Sequence, residues 1–79
     1  MTDQDRIQLV LEASLQKGGT GNVMEALNWD ATRFDQGFAL ANEMQNLDLV
    51  KLLYSNFNKN LIVVELTLIG VSKAKEQSS

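Results

Sequence analysis

With 79 residues, 44% of them hydrophobic, the chain has material for one small core and no second domain. Cysteine and histidine are both absent, which removes disulfide staples, thiolate nucleophiles, imidazole bases and the usual zinc ligand sets. Seven scattered cations (Arg6, Lys17, Arg33, Lys51, Lys59, Lys73 and Lys75) against ten carboxylates give a formal charge of -3, which argues against non-specific attachment to a polyanion.

From Thr2 to about Lys17, Ile7, Val10, Leu11 and Leu15 recur at helical spacing and predict an amphipathic helix. Thr2 is its expected N-cap, with Asp3 and Asp5 in the first turn, and Gly18-Gly19 ends it. The start Met1–Asp5 has no basic region and no apolar run nears the roughly 18 residues of a membrane span, so a cytoplasmic protein without membrane attachment is expected. Lys17-Gly18-Gly19-Thr20-Gly21-Asn22-Val23 has the look of a phosphate-binding loop, but Asn22 and Val23 stand where lysine and a hydroxyl residue are needed. The segment reads as an interhelical linker.

Asn22 and Glu25 form a capping pair for a short second helix through Leu27, with Val23, Met24, Ala26 and Leu27 as its apolar contacts. Asp30 is the expected N-cap of a third helix reaching Gln45 or Asn46, its core side built from Phe34, Phe38, Ala41, Met44 or Gln45, and Leu47. Gly37 in mid-helix costs about 1 kcal/mol relative to alanine and signals either a tolerated weak residue or close approach by a neighbour. Asn46 is expected to end the helix in the left-handed conformation. A strand from Leu49 to Tyr54, a turn over Ser55–Asn60 and a strand from Leu61 to Leu66 then predict an antiparallel hairpin. Thr67 caps a last helix from Leu68 to about Lys75, and the polar end Gln77-Ser78-Ser79 is expected to fray.

The acidic pairs Asp3/Asp5, Asp30/Asp35 and Glu43/Asp48 are best explained as caps and solvated helix faces, and no serine has a histidine partner. No enzymatic activity, cofactor, metal or small-molecule substrate is expected.

The order helix, helix, helix, strand, strand, short helix, closed by Leu66-Thr67-Leu68-Ile69-Gly70, resembles the winged helix-turn-helix superfamily. In that superfamily the third strand commonly closes with Leu-Thr-x-x-Gly before a final helix. The run Trp29-Asp30-x-x-x-Phe34 through Leu47-x-Leu49-Val50 is also similar to small phage-associated YjcQ-like proteins. The resemblance implies an α+β winged helix fold of three helices, a β-hairpin wing and a short C-terminal helix, covering residues 1–79 as one domain. It further implies DNA binding in transcription regulation, with the third helix in the major groove and the wing on backbone or minor groove.

Carried onto this chain, the outward positions near the third helix are Ala31, Thr32, Arg33, Asp35, Gln36, Ala39, Leu40 and Glu43. Arg33 would grip guanine, Gln36 adenine and Thr32 a phosphate or base edge, while Asn56, Asn58, Lys59 and Asn60 at the wing tip add polar contacts. Three phosphate contacts would give a salt slope of only about -3, so a DNA-binding function calls for a homodimer. The alternative is a winged helix used as a protein–protein interaction module without DNA binding, through Ala39, Leu40 and the wing residue Phe57. Trp29 and Tyr54 are assigned to core or rim packing, with Phe57 either exposed or folded back onto one of them.

Overall fold

Thr2 opens the first helix, α1 (Asp3–Gln16), with a reciprocal capping box: its hydroxyl accepts from the Asp5 amide at 3.2 Å, and the Asp5 carboxylate accepts from the Thr2 amide at 3.0 Å. The computed structural model describes residues 1–76; the tail Gln77–Ser79, expected to fray, lies outside the described residues. Ile7, Val10, Leu11 and Ser14 form the buried stripe of α1. Gly18 and Gly19, at φ 88° and 106°, reverse the chain in a conformation that suits residues without a side chain. Gly19 O then accepts from Leu66 N at 2.7 Å.

That contact marks the first correction. The glycine-rich segment is not merely a linker between helices, because it contains a strand, β1 (Thr20–Asn22). Three residues are too few to show alternation, and their pairing comes from a segment more than forty residues away, so nothing local announces them. The sheet is antiparallel in the order β1-β3-β2, with β2 (Val50–Asn56) and β3 (Leu61–Leu66) forming the expected hairpin. The register slips between Leu52 and Tyr54, leaving Leu53 unpaired as a bulge.

Asn22 caps α2 (Val23–Leu27), and Asn28 at φ 57° ends it. Asp30 does act as an N-cap, but of a 3-10 turn, Ala31–Arg33, and the third helix α3 is Phe34–Asn46. Thr32 and Arg33 therefore precede the regular helix rather than lying on it. Asn46 remains helical, and the left-handed residue is Asp48, at φ 63°. Leu47, expected in the core, sits on the resulting turn and is half exposed.

The core joins Ile7, Val10 and Leu11 of α1, Val23 and Met24 of α2, Phe34, Leu40, Ala41 and Met44 of α3, and Ile62 and Val64 of β3. A side chain on Gly37 would press on Met24 Sδ and come within 3.3 Å of Ile62 Cδ1, so the mid-helix glycine stands where two neighbours approach closely. Thr67 holds the last corner. Its hydroxyl donates to Asp48 O at 2.6 Å and accepts from Gly70 N at 3.0 Å, capping α4 (Leu68–Glu76). At the other end of α4, Gln8 Nε2 donates to the carbonyls of Lys73 and Ala74 (3.0 and 3.3 Å), which ties that end to α1. The described residues thus form an α+β fold of four α-helices and one three-stranded antiparallel sheet. Among the described residues, no helix is long and apolar enough to cross a membrane.

Candidate interaction face

Three residues separate Trp29 from Arg33, and the 3-10 turn Ala31–Arg33 folds the arginine back over the indole. The Arg33 guanidinium lies 4.0 Å from the ring centroid, a cation–π stack, and Arg6 of α1 approaches the same ring at 5.5 Å. Arg33 Nε donates to Gln36 Oε1 at 2.8 Å, which fixes the plane of the guanidinium. Arg6 is already paired with Asp3 at 2.9 Å. Among the described residues no carboxylate lies in ion-pair contact with Arg33.

These side chains border an open cleft of 310 Å³ between α1 and α3, lined by Asp3, Arg6, Trp29, Arg33, Gln36, Ala39, Leu40 and Glu43. Nearby, the Asp30 carboxylate accepts from both the hydroxyl and the amide of Thr32, and these bonds hold its pKa below the usual aspartate value. Thr32 is thereby committed to its own turn. Asp30 is near enough for Arg33 to lower its pKa further, Glu43 lines the cleft ten residues further along α3, and the Arg6–Asp3 pair is neutral overall.

Several expected contact residues stand elsewhere. Leu40 is buried, with 5% of its surface exposed: it is a core residue that only edges the cleft floor. The reason is periodicity, since Leu40 lies three residues from Gly37 and four from Met44, both on the buried side of α3. Ala39 remains exposed in the cleft. Phe57 is 58% exposed and meets Phe34 edge-on at 5.3 Å, rather than folding onto Trp29 or Tyr54. Gln36 is engaged by Arg33 through its carbonyl oxygen.

The wing tip divides in two. Asn58 and Lys59 are exposed, whereas Asn56 caps the 3-10 turn Phe57–Lys59 through the Lys59 amide (3.2 Å) and donates to the Tyr54 hydroxyl (2.9 Å). Asn60 turns inward in the left-handed conformation at φ 53°, and its Nδ2 donates to Trp29 O at 2.9 Å. Asn22 completes the joint: its Oδ1 accepts from Met24 N and Ile62 N (3.1 and 3.0 Å), and its Nδ2 donates to Asn60 O at 3.4 Å. Two asparagines therefore connect the wing, the cap of α2 and the Trp29 segment. Asn60 is a latch and not an outward contact.

No protein-family model, curated protein or solved structure matches the chain. The residues themselves carry the functional argument. Sequence reasoning singled out Arg33 and Gln36 for contacts with separate bases and missed that they hold each other. The three-residue spacing of Arg33 and Gln36 was the available signal, since residues three apart are neighbours on a helix surface.

Proposed function

We propose that the chain is a winged helix domain that recognises a protein through the outer face of α3 and the cleft beside it. The element order, with one strand between the first two helices and a hairpin after the third, and the sheet order β1-β3-β2 support the winged helix reading. The observation that carries the protein reading is the charge of the face. Among the described residues Arg33 is its one cation without an ion pair, and Asp30, Asp35 and Glu43 share the surface with it. Lys17, which would have added a phosphate contact, is paired with Glu25 beside α2.

Arg33, the wing's Lys59 and the exposed Lys51 of β2 would give a salt slope of only about -3 per subunit, against roughly -10 for a strong repressor. A phosphate backbone approaching this face would meet more fixed negative charge than positive. Apolar surface at Ala39, Trp29 and Phe57, set among polar groups, suits a protein partner better.

DNA binding, as a homodimer in transcription regulation, is the second reading, and the layout itself favours it because the Phe57–Phe34 contact puts the wing turn against the start of α3. Fluorescence anisotropy of a labelled mixed-sequence duplex at low salt separates the two. Protein recognition predicts no saturable binding at micromolar protein. Saturable binding that Arg33→Ala abolishes would replace it with the DNA reading.

A further inference from the structure

Resting on the protein-recognition reading, we infer that the cleft between α1 and α3 takes a carboxylate side chain of the partner, presented in a segment that is otherwise basic. Arg33 supplies the geometry. Stacking on Trp29 and the bond from Nε to Gln36 fix the guanidinium on one face and one edge, so the two terminal nitrogens remain as a parallel pair of donors. A carboxylate matches that pair bidentately, and little arginine freedom is left to lose on binding.

The surroundings supply the selectivity. Asp30, held ionised by Thr32, interacts with the guanidinium, Glu43 lines the same cleft ten residues further along α3, and Arg6 is neutralised by Asp3. A uniformly acidic partner is repelled by this rim, and a uniformly basic one leaves Arg33 without a counter-charge in the closed interface. One carboxylate flanked by lysine or arginine satisfies both. Ala39 and the exposed edge of Leu40 give the partner's intervening methylenes an apolar floor.

The test uses the full chain and a heptapeptide with one central glutamate, alanine on each side of it and two lysines at each end. Its control carries glutamine in place of glutamate. Two-dimensional NMR follows the Arg33 Nε–Hε and Trp29 indole resonances at millimolar peptide. The glutamate peptide should shift both saturably, and the glutamine peptide should bind about tenfold more weakly, because the charge-assisted fork is lost. Arg33→Lys, which keeps the charge but loses the fork, should reduce glutamate-peptide binding to the level of the control, with its melting temperature verifying the fold. Equal responses to the two peptides, no response to either, or full binding by Arg33→Lys overturns the inference. If the duplex in the anisotropy assay is also silent, only the carboxylate assignment fails; saturable duplex binding removes the protein reading itself.

Discussion

Replacing Gly70 by alanine perturbs the corner where β3 hands over to α4, and the structure fixes the sign of the effect. A Cβ at this position would sit 3.1 Å from the Leu49 carbonyl carbon and closer still to its oxygen. The obstacle is backbone, which has no rotamer to change. Alanine gains at most about 1 kcal/mol of helix propensity in α4. Relief requires α4 to lift away from Leu49, at the expense of three bonds at this joint: Thr67 N donates to Leu49 O at 3.1 Å, the Thr67 hydroxyl shares its one proton between Asp48 O and Leu49 O, and Gly70 N donates to Thr67 Oγ1 at 3.0 Å. At about 1 kcal/mol for each of these bonds, the loss is about 3 and the net destabilisation about 2 kcal/mol. For a domain of this size that corresponds to a fall in melting temperature of roughly 10 °C. Circular dichroism melts, with urea titrations to verify an unchanged m-value, measure it. Gly37→Ala is the internal comparison: it meets the flexible Met24 side chain, so overpacking and propensity gain nearly cancel and the change stays within about 1 kcal/mol. A Gly70→Ala protein that melts at or above the parent would refute the close-approach argument.

Three further outcomes are expected. Asn60→Gly, which keeps the left-handed backbone and loses the bond to Trp29 O, should cost about 1 kcal/mol, whereas Asn60→Ala should cost about 2–3 kcal/mol in urea titrations, and equal losses would count against the latch. Leu40→Ser should destabilise the fold by at least about 2 kcal/mol as a core substitution, while Phe57→Ser should cost no more than about 1 kcal/mol, the worth of its edge contact with Phe34. Asp5 and Asp30 both have lowered pKa values, Asp5 chiefly through the Thr2 amide and Asp30 chiefly through the Thr32 hydroxyl. Depressed folded values mean that their stabilising contribution is complete above the ordinary aspartate value of 3.8 and is lost as pH falls below it toward the folded values. Asp5→Asn with Asp30→Asn should therefore flatten stability against pH in that acid window and leave its shape above it unchanged.

Much of the architecture was legible because its signals are local. The stripe of Ile7, Val10 and Leu11, the Thr2 cap, the hairpin and the Leu66-Thr67-x-x-Gly70 ending each declare themselves within a few residues. The structure gives that ending a physical account: Thr67 caps the helix and Gly70 makes room for Leu49 O. What escaped depends on distant partners. β1 exists only because β3 pairs with it, Asn60 faces inward because Trp29 and Asn22 wait there, and Leu40 is buried by the packing of α3 on the rest of the core. At the candidate site, Arg33, Gln36, Ala39, Leu40 and Glu43 could be grouped from helical spacing, but only the fold brings Asp3, Arg6 and Trp29 to the same cleft.

The proposed recognition face depends most on Arg33 being laid on Trp29 and held there by Gln36, and NMR of its side chain tests that directly. The arginine methylene and Hε protons should be displaced upfield by the indole ring current, with Hε exchanging slowly because it donates to Gln36 Oε1. Trp29→Leu should return the shifts to ordinary positions, and Gln36→Ala should speed Hε exchange. Arg33 resonances at random-coil positions with rapid Hε exchange in the parent protein would contradict the preorganised guanidinium, and with it the proposed recognition face.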